Sequence, residues 1–387
     1  MQEVDTSTDW TKTGLAERIM ELQLRRWTPA RAQEWYAGQA WPCGFNFLPS
    51  TAVNFVEMWD AETFDETTIE RELGWARDAG FNTVRTNLPF ILWRQSPRDL
   101  IDRASRFLEI AEAQGLKTVY CFFDDCGFSG DETTLGPQRD PISGVHNSRA
   151  VASPGRSVVM DRTMWPLLKD YVVDVLSEFL HDPRILFWDL YNEPGNKMVF
   201  DESGGNSFSD ALVPASFELM VELFGWARDV GPVHPITVGG WRIPAPWEKV
   251  NDDSNVLYNN AIDQSAFALS DIITFHAYCG VTRMKQVLAL LEKYDRPLMC
   301  TEWMARSAGS RIEELLPMFN EKRIGAWQWG LVRGRTQTHI PWPGLKQLLP
   351  DYDESSDEWF HDLFEADGAP HSQAEIDLIL ALSKRRA

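Results

Sequence analysis

The chain is poor in several things that would point to common functions. It has seven histidines among 387 residues. None forms a close pair, and none stands beside a cysteine pair, so the spacing of a zinc site is missing and no metal is expected. Its five cysteines, Cys43, Cys121, Cys126, Cys279 and Cys300, are odd in number and lack paired spacing. That excludes a disulfide framework and favours a reducing compartment. Basic residues are outnumbered, 37 against 57 acidic, for a formal net charge of −20. Nucleic acid and anionic membrane surfaces reward lysine and arginine, so neither is an expected partner. No run is long and apolar enough to span a bilayer. The beginning, "MQEVDTSTDW", lacks the basic and apolar regions of a secretion signal, which makes cytoplasmic residence the expectation. No glycine-rich phosphate loop and no Ser-His-Asp elbow appear, and no cofactor is expected. Low-complexity tracts and Gly/Ser linkers are also missing, so residues 1–387 read as one domain.

What is present in excess is tryptophan, seventeen residues. Indole packs well in cores and also offers a flat platform to the apolar face of a sugar ring. Along the chain, short apolar runs alternate with helical patterns. The runs are 43–49, 81–89, 116–125, 184–194, 234–241, 271–279, 296–303 and 323–331. Between them lie helix patterns at 67–80, 98–115, 161–181, 216–231, 260–269, 281–294 and 309–322. In the first, Ile69, Leu73 and Ala76 recur at helical spacing and Gly80 marks the stop. "GWARDAG" at 74–80 recurs as "GWARDVG" at 225–231, read as two convergent helix ends with glycine in the left-handed cap position.

Strands that are apolar throughout are buried on both faces, as parallel strands are. Eight such units predict an α/β fold, a (β/α)8 barrel. An open doubly wound sheet would want a phosphate loop after the first strand, and "GFNFLPST" does not supply one. Residues 1–40 read as an N-terminal extension, 350–387 as a C-terminal helical addition, and the acidic run 351–359 as solvated surface. Two connections are long, roughly 126–160 and 195–213. Both follow strands, so both lie on the face of the barrel that builds the site.

Polar residues collect at the strand ends: Arg85, Asp124 and Asp125, Asn192 and Glu193, Trp241, His276 and Tyr278, Glu302, and Trp329. In this fold those ends converge. Two glutamates facing each other across the barrel mouth suit hydrolysis of a glycosidic bond. One protonates the leaving oxygen and the other attacks the anomeric carbon, and their separation decides whether configuration is retained. Arg85 and Tyr278 are placed to keep Glu302 ionised, and the nearby charge is expected to raise Glu193. Asn46, Glu57 and Trp59 read equally as rim contacts or as packing. Trp327 is expected between barrel and helices. A lyase or aldolase would want a Schiff-base lysine or metal ligands at the strand ends. A silent sugar-binding barrel would be expected to lose one glutamate.

"TVRTN", "YNEP", "HAY", "CTEW" and "WQWGL" stand in order over roughly 40–335. In this pattern the chain resembles glycoside hydrolase clan A, and most of all glycoside hydrolase family 5. The resemblance implies a retaining β-glycosidase that acts on an oligosaccharide or glycoside without metal or cofactor. Glu193 would be the acid/base and Glu302 the nucleophile. Asn192 would bind the sugar 2-hydroxyl and Trp329 would floor the subsite. The family often carries a histidine near the end of the third strand. Here Asp124, Asp125 and Cys126 stand there, and His146 in the following loop is the candidate replacement. The two long loops suggest a cleft closed at one end, hence exo-action of β-mannosidase or β-glucosidase type. An endo-acting xylanase, mannanase or cellulase is the alternative.

Overall fold

The computed structural model describes residues 14–201, 204–244, 256–345 and 357–384. Ten strands are present among them. Eight form one parallel sheet: β1 (Cys43–Asn46), β2 (Thr83–Asn87), β3 (Lys117–Asp124), β4 (Ile185–Asn192), β7 (Ile236–Thr237), β8 (Ile273–His276), β9 (Leu298–Trp303) and β10 (Gly325–Trp329). β5 (Met198–Asp201) and β6 (Gly204–Ser207) make a separate antiparallel hairpin. The sheet runs β7-β4-β3-β2-β1-β10-β9-β8. It closes where Gly240 bridges Phe275, with Gly240 N–H donating to Thr274 and His276 N–H to Gly240. The result is the (β/α)8 barrel expected.

Every residue of β1, β2, β4, β8 and β9 is buried. Burial on both faces is why the runs are continuous in apolar residues and do not alternate. The fifth barrel strand, expected over 234–241, has only two ladder residues, because Gly239 and Gly240 carry the chain on in an irregular path. Both copies of the repeated heptapeptide end helices as expected: Gly80 (φ 98°) and Gly231 (φ 71°) are left-handed C-caps.

Helix Gln373–Lys384 lies in the segment 350–387, read from sequence as a last helix plus a terminal one. It packs between helices Ile312–Glu321 and Glu66–Ala79 and so takes the eighth helical position of the ring. The long segment after β10 hides this from the sequence. Residues 346–356, with most of the acidic run 351–359, lie outside the described residues. Trp327 lies between the barrel strands and the N-terminal helical extension. It joins Val119, Phe187 and Met299 in a cluster with Trp27 and Tyr36 from the helical extension. Those residues sit near the starts of their strands, so helices Leu15–Arg25 and Pro29–Ala37 lead into a plug of the barrel's lower end. The Tyr36 hydroxyl donates to the Arg323 carbonyl and Trp41 Nε1 to that of Ile324, which pins the extension under β10.

Candidate active site

β4 ends on Asn192, and the next residue breaks the strand. Glu193 has φ 46° and Gly195 φ 78°. A left-handed glutamate is strained by roughly 1–3 kcal/mol and persists only where surroundings over-determine it. Asp125 supplies that constraint. Its Oδ2 accepts from Gly195 N–H (2.6 Å) and Ser216 (2.6 Å), and its Oδ1 from the Tyr191 hydroxyl (2.9 Å). The Asn-Glu-Pro-Gly turn thus lifts the Glu193 carboxylate into the barrel mouth.

Glu193 and Glu302 meet there. One donor atom each from Glu193, His276 and Glu302 lies within 4.8 Å of the others. His276 Nδ1 is 2.8 Å from Glu193 Oε1 and 3.5 Å from Glu302 Oε2. The Tyr278 hydroxyl donates to Glu302 Oε2 at 2.8 Å, and Arg85 Nη1 lies 3.3 Å from Glu302 Oε1. Glu193 Oε2 accepts from Asn196 Nδ2 (2.6 Å) and the Cys126 thiol (3.2 Å).

Arg85 is the hub beneath. It is 1% exposed and reaches Asp189 (2.8 Å), Asn46 Oδ1 (2.6 Å) and Asn192 Oδ1 (2.7 Å) as well as Glu302. Burial works against its charge, but Asp189, Cys121 and Glu302 more than offset that, so it stays firmly cationic. Asp124 finishes the lattice by accepting from Asn87, Asn192 and Cys126 N–H. Replacing Arg85 by methionine leaves Asp189 buried without its partner. It should destabilise the fold by about 3–5 kcal/mol, read as a lowered denaturation midpoint in urea.

Burial raises both glutamates. For Glu302 the result is about 6: burial and the Glu193 charge push it up, while His276, Arg85 and Tyr278 pull it down. Burial is also the first cause at Glu193, partly opposed by Asn196 and Cys126. The sequence reading put the charge of Glu302 first, and it did not anticipate that Glu302 itself would rise. Burial likewise lowers His276, which is therefore neutral near pH 7.

The carboxylates open on a cavity of about 460 Å³. Asn192, Asp124, His146, Trp241, His276, Tyr278 and Trp329 line it. Three residues read equally as rim contacts or as packing do not. Trp59 is fully buried against Phe64, Phe107 and Tyr120. Glu57 pairs with Arg335 (2.7 Å) and accepts from Val53 N–H. Asn46 is buried under the site, where it orients Arg85 and donates to the Thr301 and Gln328 carbonyls. Asn46 ends β1, whereas Glu57 and Trp59 sit on the short helix Phe55–Trp59 that follows it, and neither position reveals from sequence whether the side chain faces the cavity.

The structure adds residues the sequence reading missed. Asp189 carried a signal, because a charge in the middle of an apolar strand needs a buried partner. Asn196, Phe128, Phe200, Trp342 and His361 carried none. The last four reach the cavity only through the loops, and Asn196 reaches Glu193. The β5–β6 hairpin stacks Phe200 on Phe128 of the preceding loop, with ring centroids 4.4 Å apart. That same loop is laced to the segment after β10. Asn147 N–H donates to Thr336, Gln337 Nε2 to Ile142 and Val145, and Arg335 Nη2 to Asp140. Asn54 Nδ2 ties the loop after β1 to Arg149.

No protein-family model matches the chain, and no curated protein matches it in sequence. Solved structures do match. An exo-β-1,4-mannosidase from Opitutaceae bacterium strain TAV5 is 19% identical with a TM-score of 0.54, over 89% of this chain and 60% of that one. This chain therefore spans less than two thirds of that mannosidase's length. A GH5_18 protein from Streptomyces cattleya, in complex with Manβ1-4GlcNAc, is 14% identical with a TM-score of 0.57, over 89% and 81%. An endo-β-1,4-mannanase from Thermotoga petrophila is 15% identical with a TM-score of 0.53, over 90% and 77%. What this chain shares with them is the (β/α)8 barrel.

Proposed function

We propose that the protein is a retaining β-glycosidase of the glycoside hydrolase family 5 type, acting on β-linked oligosaccharides. One observation carries the reading: Glu193 and Glu302 oxygens lie within 4.8 Å of each other. Retention needs carboxyl groups about 5–5.5 Å apart, whereas inversion needs about 6.5–9.5 Å for a water between them. The two share one proton, and their donors decide its place. Glu302 faces a guanidinium and a phenol, while Glu193 faces a neutral amide, a thiol and an imidazole. Glu302 is the ionised nucleophile. Its attack forms the glycosyl ester while the C–O bond breaks, and the electron pair goes to the aglycone oxygen, which takes the Glu193 proton. Glu193 then accepts a proton from water as that water displaces Glu302. Asn192, fixed between Arg85 and Asp124, is placed for the 2-hydroxyl, and Trp329 for the sugar face. The test is product stereochemistry by NMR on an aryl β-glycoside. First formation of the β-hemiacetal supports the reading, and first formation of the α-anomer overturns it.

The lacing between the loops after β1 and β3 and the segment after β10 supports exo-action, because it closes that end of the cleft to a longer chain. The mannosidase and mannanase names among similar folds favour β-mannosides. The five free cysteines suit a reducing compartment, so we place the enzyme in the cytoplasm.

The pH dependence follows from the pair. The kcat/KM should rise with pH as the coupled pair gives up its first proton and fall again as it gives up its second, with both limbs displaced above the ordinary carboxylate range because burial raises Glu193 and Glu302 alike. A pH–rate profile in one buffer series checks this, and a profile flat from pH 4 to 9 would contradict it.

A second reading has one observation in its favour. Two carboxylates and an imidazole so close together have the makeup of a cation site. The Arg85 charge beside Glu302 and the direct His276–Glu193 bond weigh against it. Activity should be unchanged after dialysis against EDTA. Loss that Zn²⁺ or Mn²⁺ restores would select the metal reading.

A further inference from the structure

We propose that His146 and His361 form a pair of fixed-tautomer acceptors that reads one hydroxyl of the sugar held between Glu193 and Glu302. The inference rests on the glycosidase reading and names specificity residues for it. Both imidazoles line the cavity and both are buried. Their ring centroids are 5.4 Å apart. His146 arrives on the loop after β3 and His361 on the segment after β10.

The tautomers follow from hydrogen bonding alone. His146 Nδ1 is 2.6 Å from the Ile340 carbonyl, and His361 Nδ1 is 2.6 Å from that of Met304. A carbonyl only accepts, so each Nδ1 must hold the ring proton. Each Nε2 is then a lone pair. Burial keeps both rings neutral, with His146 lowered to about 4 and His361 well below its ordinary value. Among the described residues His361 Nε2 has no partner, and it is shielded from bulk water. An unmet buried acceptor is destabilising unless something donates to it.

The position indicates what donates. The His361 ring is 5.7 Å from that of Tyr278, whose hydroxyl bonds Glu302. His361 therefore stands one aromatic ring from the nucleophile, with His146 beside it on the cavity wall. Hydroxyls donate to such acceptors, whereas carboxylate, sulfate and phosphate groups do not. The substrate is a glycoside with a free hydroxyl at that place, and one carrying a carboxylate, sulfate or phosphate there is disfavoured.

The experiment measures kcat/KM for an aryl β-glycoside that the wild type cleaves and for its 3-, 4- and 6-deoxy analogues. The same set is run on His146→Phe and His361→Gln. The ratio of parent to analogue within one protein does not depend on the folded fraction, so a poorly folding variant still reports. In the wild type, one deoxy analogue should lose about tenfold beyond the others. In at least one variant that excess should vanish while the other ratios stay. Hydrolysis with ratios identical in wild type and both variants overturns the histidine pair and leaves the glycosidase intact. A wild type that cleaves no glycoside removes the glycosidase reading and the pair with it.

Discussion

Replacing Glu302 by alanine is expected to lower kcat on the order of 10⁵-fold, the scale on which loss of a catalytic nucleophile acts. The methyl side chain opens space beside the anomeric carbon and leaves Arg85 and Tyr278 without the carboxylate they serve. Azide can enter that space. It attacks from the face Glu302 occupied, forming the C–N bond as the C–O bond breaks, while Glu193 still protonates the leaving oxygen. The product is the α-glycosyl azide from a β-glycoside, seen by NMR as an inverted anomeric centre. Recovery of the β-azide would move the nucleophile elsewhere, and a variant with near wild-type turnover would remove Glu302 from the chemistry.

Glu193→Ala should show the second largest effect, and the effect should depend on the leaving group. General acid assistance is worth about 10²–10⁴-fold. An oligosaccharide leaves as a poor, strongly basic alkoxide and should lose that full factor. A 2,4-dinitrophenyl group needs no proton, so its first step should fall less than tenfold and the glycosyl ester on Glu302 should accumulate. Azide should then speed release as the β-glycosyl azide, because it meets the ester from the open face. The measurement is a pair of kcat/KM values plus a pre-steady-state burst. Equal losses on both substrates would strip Glu193 of the acid role.

The two variants separate cleanly because their supports differ. Asn196 and Cys126 contact Glu193 alone, while Tyr278 and Arg85 contact Glu302 alone, and His276 lies within reach of both. Asn192 joins the two halves through Arg85 and Asp124.

Much of the barrel was legible in the chain because parallel strands buried on both faces must be apolar, and each strand must be spaced from the next by a helix. That pattern is local. The ring position of the terminal helix is set by partners some sixty and three hundred residues away in the chain, which no local period records. The fifth strand was drawn too long because glycines interrupt its ladder without interrupting its hydrophobicity.

The candidate site divides in the same way. Strand-end position alone singled out Glu193, Glu302, Arg85, Asn192, His276 and Tyr278, since a polar residue closing a buried strand has few reasons to be there. Sequence by itself thus determined the barrel and the acids at its mouth. Tertiary structure alone decided that Trp59, Glu57 and Asn46 turn away from the cavity, that Asp189 anchors Arg85, and that Trp342 and His361 wall the pocket. The reason is physical: a strand's own residues set where its end points, whereas a loop's course is set by what it packs against.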